Sequence, residues 1–347
     1  MSQANIDFQT RILGIGHAMC DISVELEPCA WEAFRARFSW LASESPVHLD
    51  AARAHGILSY LEESAAQGQG RVRYAAGGAA LNAVRVASLL GARASFVGVV
   101  GEDLCGDVVR VGLKASGIEA LLDTSGGREG TGIFCTVSRM VGQGAQARGS
   151  AARCIFVSPG AAHRVCDRDF AGFERAHFAM IHTEGLLVDR PQNLEIFLRC
   201  ARDMQVTVSL DTVSAEATRR NRDALEAQIR QYADFVFCNK AEFEALNLSI
   251  QNYSPDIVWV IKRDRYGVDC YTRRKTIHVD APRCAVLDEV GAGDAFAGAF
   301  LAAHLAGKPL ALCLELGTEA AACALQSQGP EPDARCLGAL SRKILAE

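Results

Sequence analysis

The 347-residue sequence lacks the features that mark several specialised classes of protein. No Lys/Arg-rich block interrupts a chain whose formal net charge is −5, which argues against nucleic acid or an anionic membrane as a partner. No apolar run approaches the roughly 18 residues that a membrane-spanning helix needs. The first residues, Met-Ser-Gln-Ala-Asn-Ile-Asp, lack the basic and apolar regions of a signal peptide. We therefore expect a cytoplasmic, globular protein.

The thirteen cysteines are scattered along the chain and suggest neither a metal site nor a disulfide framework. None of them form a Cys-x-x-Cys pair, and no Cys/His cluster has the spacing of a zinc site. A dispersed, odd-numbered set of this kind predicts reduced thiols, most of them serving as small core residues.

Several catalytic signatures are also missing. The loop Gly-x-x-x-x-Gly-Lys-Ser/Thr is absent, since Gly307-Lys308 is followed by Pro309. No protein-kinase catalytic loop and no Gly-x-Ser-x-Gly element occur. Gly14-Ile-Gly16 begins like a dinucleotide fingerprint, but Met19 replaces its third glycine, so a dehydrogenase is only a distant alternative.

Strand-like apolar runs alternate with helical ones along most of the chain. Strands are predicted at 12–15, 95–100, 177–182, 205–210, 234–238 and 257–261, and helices at 79–90 and 104–115. This alternation indicates a mainly parallel sheet with helices on both faces. Ligands on such sheets collect at the carboxyl ends of the strands.

Two regions, at about 17–75 and 118–160, break this alternation. The first contains two amphipathic stretches where a simple unit would need only a short loop. The second contains two strands, at 131–137 and 153–157, with the character of a hairpin whose tip at 142–150 we expect to be mobile. We predict that these insertions form a small lid within one domain spanning 1–347.

The most informative run is Asp288-Glu-Val-Gly-Ala-Gly-Asp294-Ala-Phe296. Its Gly-Ala-Gly turn leads into a small, apolar helix, and the backbone N–H groups at a helix start can hold a phosphate. Asp294 stands where a carboxylate can reach a hydroxyl aligned with that phosphate. The run indicates phosphoryl transfer to an alcohol, and the simpler alternative is an ordinary helix start with Asp as N-cap.

Other segments supply polar groups, and each has a simpler structural alternative. Asp21, near the end of a strand, is either an acceptor for a sugar diol or a solvated turn residue. Asn82 either binds a polyol or faces solvent. Asp103 either lines the same cleft or caps a helix. Asn239 and Glu242 either organise Mg²⁺ water near ATP phosphates or form a capping box.

These motifs, in this order, resemble those of the ribokinase-like (PfkB) family of carbohydrate and nucleoside kinases, from about residue 11 to residue 330. The resemblance is closer to the adenosine kinase-like sugar kinases, because of the long insertion before residue 75. The amino-terminal motifs Gly-Gly-x-x-x-Asn and Gly-x-x-Gly-x-Asp match Gly77, Gly78, Asn82, Gly98, Gly101 and Asp103. The motifs Asp-Thr-x-Gly-Ala-Gly-Asp and Asn-x-x-Glu match Asp288 through Asp294 and Asn239 through Glu242. An arginine seven residues before Gly-Ala on the hairpin matches Arg153.

The resemblance implies an α/β three-layer sandwich with a mostly parallel central sheet and a small β lid. It implies an ATP-dependent phosphotransferase that acts on a CH2OH hydroxyl of a sugar or nucleoside, requires Mg²⁺, and is a monomer or homodimer. Asp294 would be the catalytic base, and the amides of Gly291, Ala292 and Gly293 would form the anion hole. The implied substrate residues are Asp21, Gly77, Gly78, Asn82, Arg153 and Glu184. The implied ATP-binding residues are Asn239, Lys262, Gly267, Gly291, Gly293 and Cys323, with Glu242 binding the metal through water.

The chain departs from the family pattern at three positions that bear on function. Glu289 stands in place of the usual Thr and adds a negative charge beside the phosphate site. Asp264 replaces a glycine of the nucleotide loop, and His17 stands where many members have Asn. These departures keep a second hypothesis open, a sugar- or nucleoside-binding regulatory protein that lost the reaction. For a nucleoside, Phe134 and Phe156 are the candidate stacking residues.

Overall fold

The computed structural model describes residues 11–41, 46–140, 153–167, 178–189, 191–247, 249–250, 256–327, 329 and 333–345. The tip predicted at 142–150 therefore lies outside the described residues. The strands are β1 Arg11–Ile15, β2 Met19–Leu26, β3 Val47–His48, β4 Gly70–Gly77, β5 Arg93–Val100, β6 Glu119–Thr124, β7 Gly132–Arg139, β8 Arg153–Ser158, β9 Met180–Glu184, β10 Thr207–Asp211, β11 Phe235–Asn239, β12 Val258–Lys262, β13 Val268–Tyr271 and β14 Thr276–Val279.

The helices are α1 Pro28–Arg37, α2 Ala51–Ala66, α3 Ala79–Leu89, α4 Leu104–Ala115, α5 Pro191–Asp203, α6 Ala215–Arg220, α7 Arg222–Tyr232, α8 Lys240–Leu246, α9 Ala292–Leu305, α10 Leu310–Leu325 and α11 Ala334–Leu345. Every predicted strand and helix is present, with ends displaced by up to three residues. The strand predicted from 205 begins instead at Thr207, because Gln205 adopts a positive φ of 58° in the preceding turn. Among the described residues, no helix is long and apolar enough to span a membrane.

A nine-stranded sheet forms the centre of the fold, in the order β14-β13-β12-β11-β10-β9-β1-β5-β6. The strands from β12 to β6 pair in parallel, whereas β13 pairs in the antiparallel sense with both β12 and β14. The predicted mostly parallel sheet is confirmed. Because parallel strands all end at the same edge, the sheet places the carboxyl ends of these seven strands along one line.

Helices cover both faces of this sheet, as its apolar strands require. In β1, Ile12 packs on one face with residues of α3, α9, α10 and α11, whereas Leu13 packs on the other with residues of α5. Residues of α7 and α8 extend that second layer over β10 to β12. The resulting three layers match the predicted α/β sandwich.

A separate five-stranded sheet, in the order β3-β8-β7-β2-β4, forms beside the first. Its strands come from the two predicted insertions, and β7 and β8 pair as the antiparallel hairpin expected there. The strand β6, which lies within the predicted 118–160 insertion, belongs instead to the edge of the large sheet. The role of the small sheet as a lid stays a prediction.

The two faces of the small sheet differ in burial, following the alternation of side chains along a strand. Cys20, Ile22, Val24 and Leu26 of β2 are all buried in the main core, together with residues of α1 and α2. The intervening positions of β2 are polar and, in part, accessible. Register places Asp21 beside Phe134 of β7, and Phe134 beside Val157 of β8, all on this open face.

Candidate active site

The carboxyl edge of the large sheet gathers charged and amide side chains from four neighbouring strands. Glu184 ends β9 and pairs in register with Asp211, which ends β10. Asn239 ends β11 and pairs with Lys262, the last residue of β12. Four separate apolar strands therefore deliver polar side chains to a single edge, where an open α/β sheet binds its ligands.

The Gly-Ala-Gly turn lies at this edge and starts α9. Gly291 adopts a left-handed conformation with φ 78°, which a glycine reaches without steric cost, and it serves as the N-cap. The first backbone hydrogen bond within the helix runs from Ala295 N to Gly291 O, at 2.8 Å. Asp294 is thus the third residue of the helix, so the alternative that it is an N-cap is wrong. The N–H groups of the first turn point out of the helix end, where anions bind.

The Asp294 carboxylate is held by a chain of side chains from α3. Asn82 Nδ2 donates to Asp294 Oδ2 at 3.0 Å, and Arg85 donates from Nη2 to Asn82 Oδ1 at 2.6 Å. Arg85 also donates to the carbonyl oxygen of Ala76, at 2.8 Å. Because a guanidinium can only donate, it fixes the Asn82 amide with its NH2 group towards Asp294. Asn82 is 4% exposed, so the solvent-facing alternative is wrong.

The surroundings of Asp294 favour proton binding at neutral pH. Burial raises the pKa of Asp294 to about 7, and the nearby negative charge of Asp211 adds to that rise. The hydrogen bond from Asn82 and the positive charge of Lys262 act in the opposite direction. A carboxyl group poised near pH 7 is well suited to accept a proton in catalysis.

Lys262 places an ammonium group against the glycine turn. Its Nζ donates to Asp211 Oδ2 at 2.8 Å, and a Cβ built on Gly293 would lie 3.2 Å from this nitrogen. Burial alone would lower the pKa of Lys262, but Asp211 and Glu242 raise it above its ordinary value. The amine is therefore a permanent positive charge directly beside the helix start.

Asp21 and the two adjacent glycines form the opposite wall of the site. A Cβ built on Gly77 would lie within 2.2 Å of the Asp21 carboxylate, so this carboxylate rests on the Gly77 backbone. Gly78, the N-cap of α3, has φ 110°, and its Cβ would lie 2.0 Å from the carbonyl oxygen of His17. Asp21 lies within β2 and is 8% exposed, which rules out the solvated-turn alternative.

Arg153 joins the small sheet to the segment that precedes the Gly-Ala-Gly turn. It lies at the first position of β8, and its guanidinium is 3.6 Å from both the Asp288 and the Glu289 carboxylates. The residue that departs from the family pattern, Glu289, therefore contacts the arginine that the hairpin motif singled out. Arg153 pairs in register with Ser138 of β7, on the same open face as Asp21 and Phe134.

Comparison with known proteins identifies the family of this chain. Residues 52–335 match the pfkB family carbohydrate kinase. The chain belongs to the pfkB family of kinases.

Other pfkB and nucleoside kinases resemble the chain over different lengths. Adenosine kinase 1 from Arabidopsis thaliana is 23% identical over 355 residues, covering 94% of this chain and 97% of that protein. A nucleoside kinase from Methanocaldococcus jannaschii is 30% identical over 108 residues, covering 29% of this chain and 36% of that protein, about a third of its length. The structure of a probable sugar kinase from Rhizobium etli superposes with a TM-score of 0.78 at 24% identity, covering 96% of this chain and 98% of that one. The predicted adenosine kinase-like, ribokinase-like kinase class is confirmed.

The resemblance implied that Glu184 contacts the substrate. In the structure, both oxygens of its carboxylate already contact neighbouring groups of the protein. Its Oε1 accepts from the backbone N–H of His17 at 3.0 Å and also contacts His17 Nδ1, while Oε2 accepts from Ala80 N at 3.2 Å. Burial alone would raise the pKa of Glu184, but the His17 ring and these hydrogen bonds hold it below its usual value. These contacts fix the turn after β1 and the start of α3, and a direct substrate contact stays a prediction.

Asn239 and Glu242 form the capping box that was the simpler alternative. Glu242 accepts from Asn239 N at 2.9 Å, from Asn239 Nδ2 at 2.8 Å and from Thr212 Oγ1 at 2.7 Å. A carboxylate with these bonds already made is suited to contact a metal only through water. Within the described ranges, no group of three His, Cys, Asp or Glu side chains could hold a metal ion.

In the loop after β12, Asp264 stands where the family pattern has a glycine. The backbone at Asp264 still adopts a conformation that glycine favours. Asp264 adopts a left-handed φ of 51°, which Asp tolerates better than most residues. Gly267 has φ 87°, and a Cβ there would lie 1.9 Å from the Val279 carbonyl oxygen, so only glycine fits against β14. Gly267 shapes the loop, and its contact with ATP stays a prediction.

Asp103 is a helix cap, which was the simpler alternative to a role in lining the cleft. It caps α4 by accepting from Gly106 N at 2.8 Å, and it also accepts from Thr131 N at 2.7 Å. These bonds tie the loop after β5 to the start of β7. Burial alone would raise the pKa of Asp103, but the hydrogen bonds from Thr131 and Gly106 keep it low.

Two expectations about cysteine and phenylalanine side chains require correction. The prediction of reduced thiols fails for Cys323, which forms a disulfide with Cys336 because the α10–α11 pairing brings their Cα atoms within 6.1 Å. Among the described residues, ten other cysteines are free thiols, six of them buried. Phe156 is fully buried on the covered face of the small sheet, so only Phe134 remains as a candidate stacking residue.

Sequence reasoning missed two side chains of the candidate site, Asp211 and Arg85. A usable signal existed for Asp211, since an acidic residue directly follows a predicted apolar strand at the ligand-binding edge. For Arg85 the signal was its spacing three residues after Asn82, which places both side chains on one face of α3.

Proposed function

We propose that this pfkB protein transfers the γ-phosphoryl group of ATP to a CH2OH hydroxyl of a nucleoside or sugar. The observation that carries the proposal is the position of Asp294. Its carboxyl group, with a pKa raised to about 7, lies in the first turn of α9 beside the glycine turn and Lys262. A base, an anion-binding helix end and a cation thus meet at one point.

Proton transfer from the acceptor is the role of Asp294. The acceptor lies between the open face of the small sheet, where Asp21 accepts hydrogen bonds from its other hydroxyls, and the start of α9. The reacting hydroxyl gives its proton to the ionised Asp294 carboxylate as its oxygen attacks the γ-phosphorus. Asn82 donates to Asp294 Oδ2 and so leaves Oδ1 for the hydroxyl. Because the transition state is loose, Asp294 needs only modest basicity.

Charge stabilisation of the transferring group comes from α9 and Lys262. The N–H groups at the start of α9 donate to the equatorial oxygens, as a preorganised anion hole. Ala292 N also makes a long contact of 3.4 Å with the Glu289 carbonyl oxygen, so the amides of Gly293 and Asp294 are the freer donors. Lys262, which lies against Gly293, adds a positive charge at the same place.

Mg²⁺ belongs to this proposal as a partner of the nucleotide. Mg²⁺ keeps much of its water shell and commonly binds through nucleotide phosphates with one or two carboxylates. Glu242, with its hydrogen bonds to Asn239 and Thr212, fits a contact through water. When bound, the ion neutralises phosphate charge. ATP lies along the loop 262–267, and the small sheet acts as a lid that excludes water.

A panel of acceptors tests the proposed function. The purified protein is incubated with Mg²⁺-ATP and single nucleosides or sugars, and ADP release is measured beside thermal shifts of the same mixtures. We expect ADP release that depends on one class of acceptor. Tight binding of a nucleoside or sugar without any ADP release would instead support the regulatory-protein hypothesis.

Phe134 provides the structural reason to favour a nucleoside over a free sugar. This ring is partly exposed beside Asp21 on the open face, where a base can stack on it. Base–aromatic stacking contributes on the order of 1–3 kcal/mol. We expect Phe134→Ala to raise the KM for a nucleoside about tenfold or more, while kcat changes little. Phe134→Tyr, which retains the ring, is the control; an unchanged KM in Phe134→Ala would exclude stacking at this residue.

A further inference from the structure

The ion pair between Arg153 and Glu289 connects the small sheet to the turn that starts α9. Arg153 belongs to β8 of the small sheet, and Glu289 precedes the glycine turn that starts α9. Arg153 Nη2 lies 3.6 Å from Glu289 Oε2, and Nη1 lies 3.6 Å from Asp288 Oδ1. The guanidinium therefore lies beside the helix start where the proposed function places a phosphoryl group.

The two carboxylates that contact Arg153 differ in how firmly they are held. Asp288 Oδ1 accepts from Val290 N at 3.1 Å, and Oδ2 accepts from Gly329 N at 3.0 Å, so the backbone fixes this side chain. Glu289 is 67% exposed, and its 3.6 Å contact with Arg153 is longer than a hydrogen bond. A long ion pair whose carboxylate is exposed in this way is weak and exchanges readily. Glu289 is thus the replaceable partner and Asp288 the fixed one.

A phosphate group is a better partner for Arg153 than Glu289 is. A guanidinium matches phosphate oxygens with two parallel hydrogen bonds, and a nucleotide phosphate carries more negative charge than a single carboxylate. Glu289 also lies only two residues before Gly291, so its own charge repels an arriving phosphate. Phosphate binding by Arg153 must therefore break the pair with Glu289.

We propose that Glu289 holds Arg153 at the catalytic turn in the nucleotide-free enzyme and is displaced from it by the nucleotide phosphates, so that Glu289 lowers the affinity for nucleotide. The inference rests on the proposed function, since it requires a nucleotide at this turn. It assigns a role to the charged residue that the family resemblance left unexplained. Glu289 acts as a positioning residue through Arg153.

Nucleotide binding by a charge-neutral variant tests this proposal. The full-length wild-type protein and Glu289→Gln are titrated with adenylyl imidodiphosphate and Mg²⁺ in a calorimeter. We expect Glu289→Gln to bind about two- to fivefold more tightly, the range for loss of one exposed ion pair. The gain should shrink as the salt concentration rises from about 0.05 M to about 0.5 M, because salt screens exposed charges. Glu226→Gln, which removes an exposed Glu–Arg pair on α7, is the matched control and should bind like the wild type.

The same substitution in a second background separates displacement of Arg153 from simple repulsion. In Arg153→Met, the further change Glu289→Gln should improve binding by less than about twofold, since no guanidinium remains to be released. An equal gain in both backgrounds, or unchanged or weaker binding in Glu289→Gln, would overturn the inference while leaving the kinase proposal intact. A wild-type protein that binds no nucleotide would overturn both.

Discussion

Replacing Asp294 with Asn should lower kcat by about 10²-fold or more while nucleotide and acceptor still bind. Asn has the same shape, and its amide oxygen can still accept the hydrogen bond from Asn82 that Asp294 accepts at 3.0 Å. It cannot take a proton from the acceptor hydroxyl. Initial rates of ADP release, together with calorimetric titration of acceptor and nucleotide analogue, measure the two effects separately.

The control for this substitution is an aspartate outside the site. Asp280 follows β14, its side chain is 96% exposed, and Asp280→Asn should leave kcat unchanged. A normal folding stability of Asp294→Asn would show that the loss of rate is chemical. Near-wild-type turnover in Asp294→Asn would contradict the assignment of this residue as the base.

Replacing Lys262 with Met should affect both stability and catalysis. The substitution leaves Asp211, which is 4% exposed, as a buried charge without its cation. Breaking a buried pair from one side costs about 3 kcal/mol of unfolding free energy, or somewhat less here because Lys262 borders the cleft. Loss of the positive charge beside Gly293 should also lower kcat by about 10²-fold. Denaturant unfolding and initial rates measure the two effects.

The double variant Lys262→Met/Asp211→Asn separates these two roles of Lys262. With both charges removed, most of the lost stability should return, because no unpaired buried charge remains, but the activity should not. If the double variant recovers activity as well, Lys262 acts only through stability.

The pH dependence of the Asp211→Asn variant independently tests the effect of the Asp211 charge on Asp294. In the wild type, kcat/KM should rise with pH through about 7, because the reaction needs the ionised form of Asp294 and its pKa is raised to about 7. Asp211 contributes to that rise through its negative charge. Replacing Asp211 with Asn should therefore move the rise of kcat/KM to lower pH.

Local patterns predicted the parts of the site whose residues are close in sequence. The Gly-Ala-Gly turn, the start of α9 and the Asn239–Glu242 capping box depend on backbone geometry within a few residues, and that geometry is coded locally. A further hydrogen bond to Glu242 was not coded locally. It comes from Thr212, thirty residues away in the loop after β10, whose hydroxyl donates to the Glu242 carboxylate.

The sequence by itself determined the alternating strands and helices, the position of the Gly-Ala-Gly turn and the family to which the chain belongs. Only the tertiary structure decided which polar groups meet there. It joined Asn82 to Asp294 across 212 residues, set Asp211 beside Lys262, and paired Arg153 with Glu289. It also closed the Cys323–Cys336 disulfide, for which no spacing rule gave a signal. The physical reason is that periodicity records which side chains are buried, whereas a hydrogen bond or ion pair depends on the register of distant strands and helices.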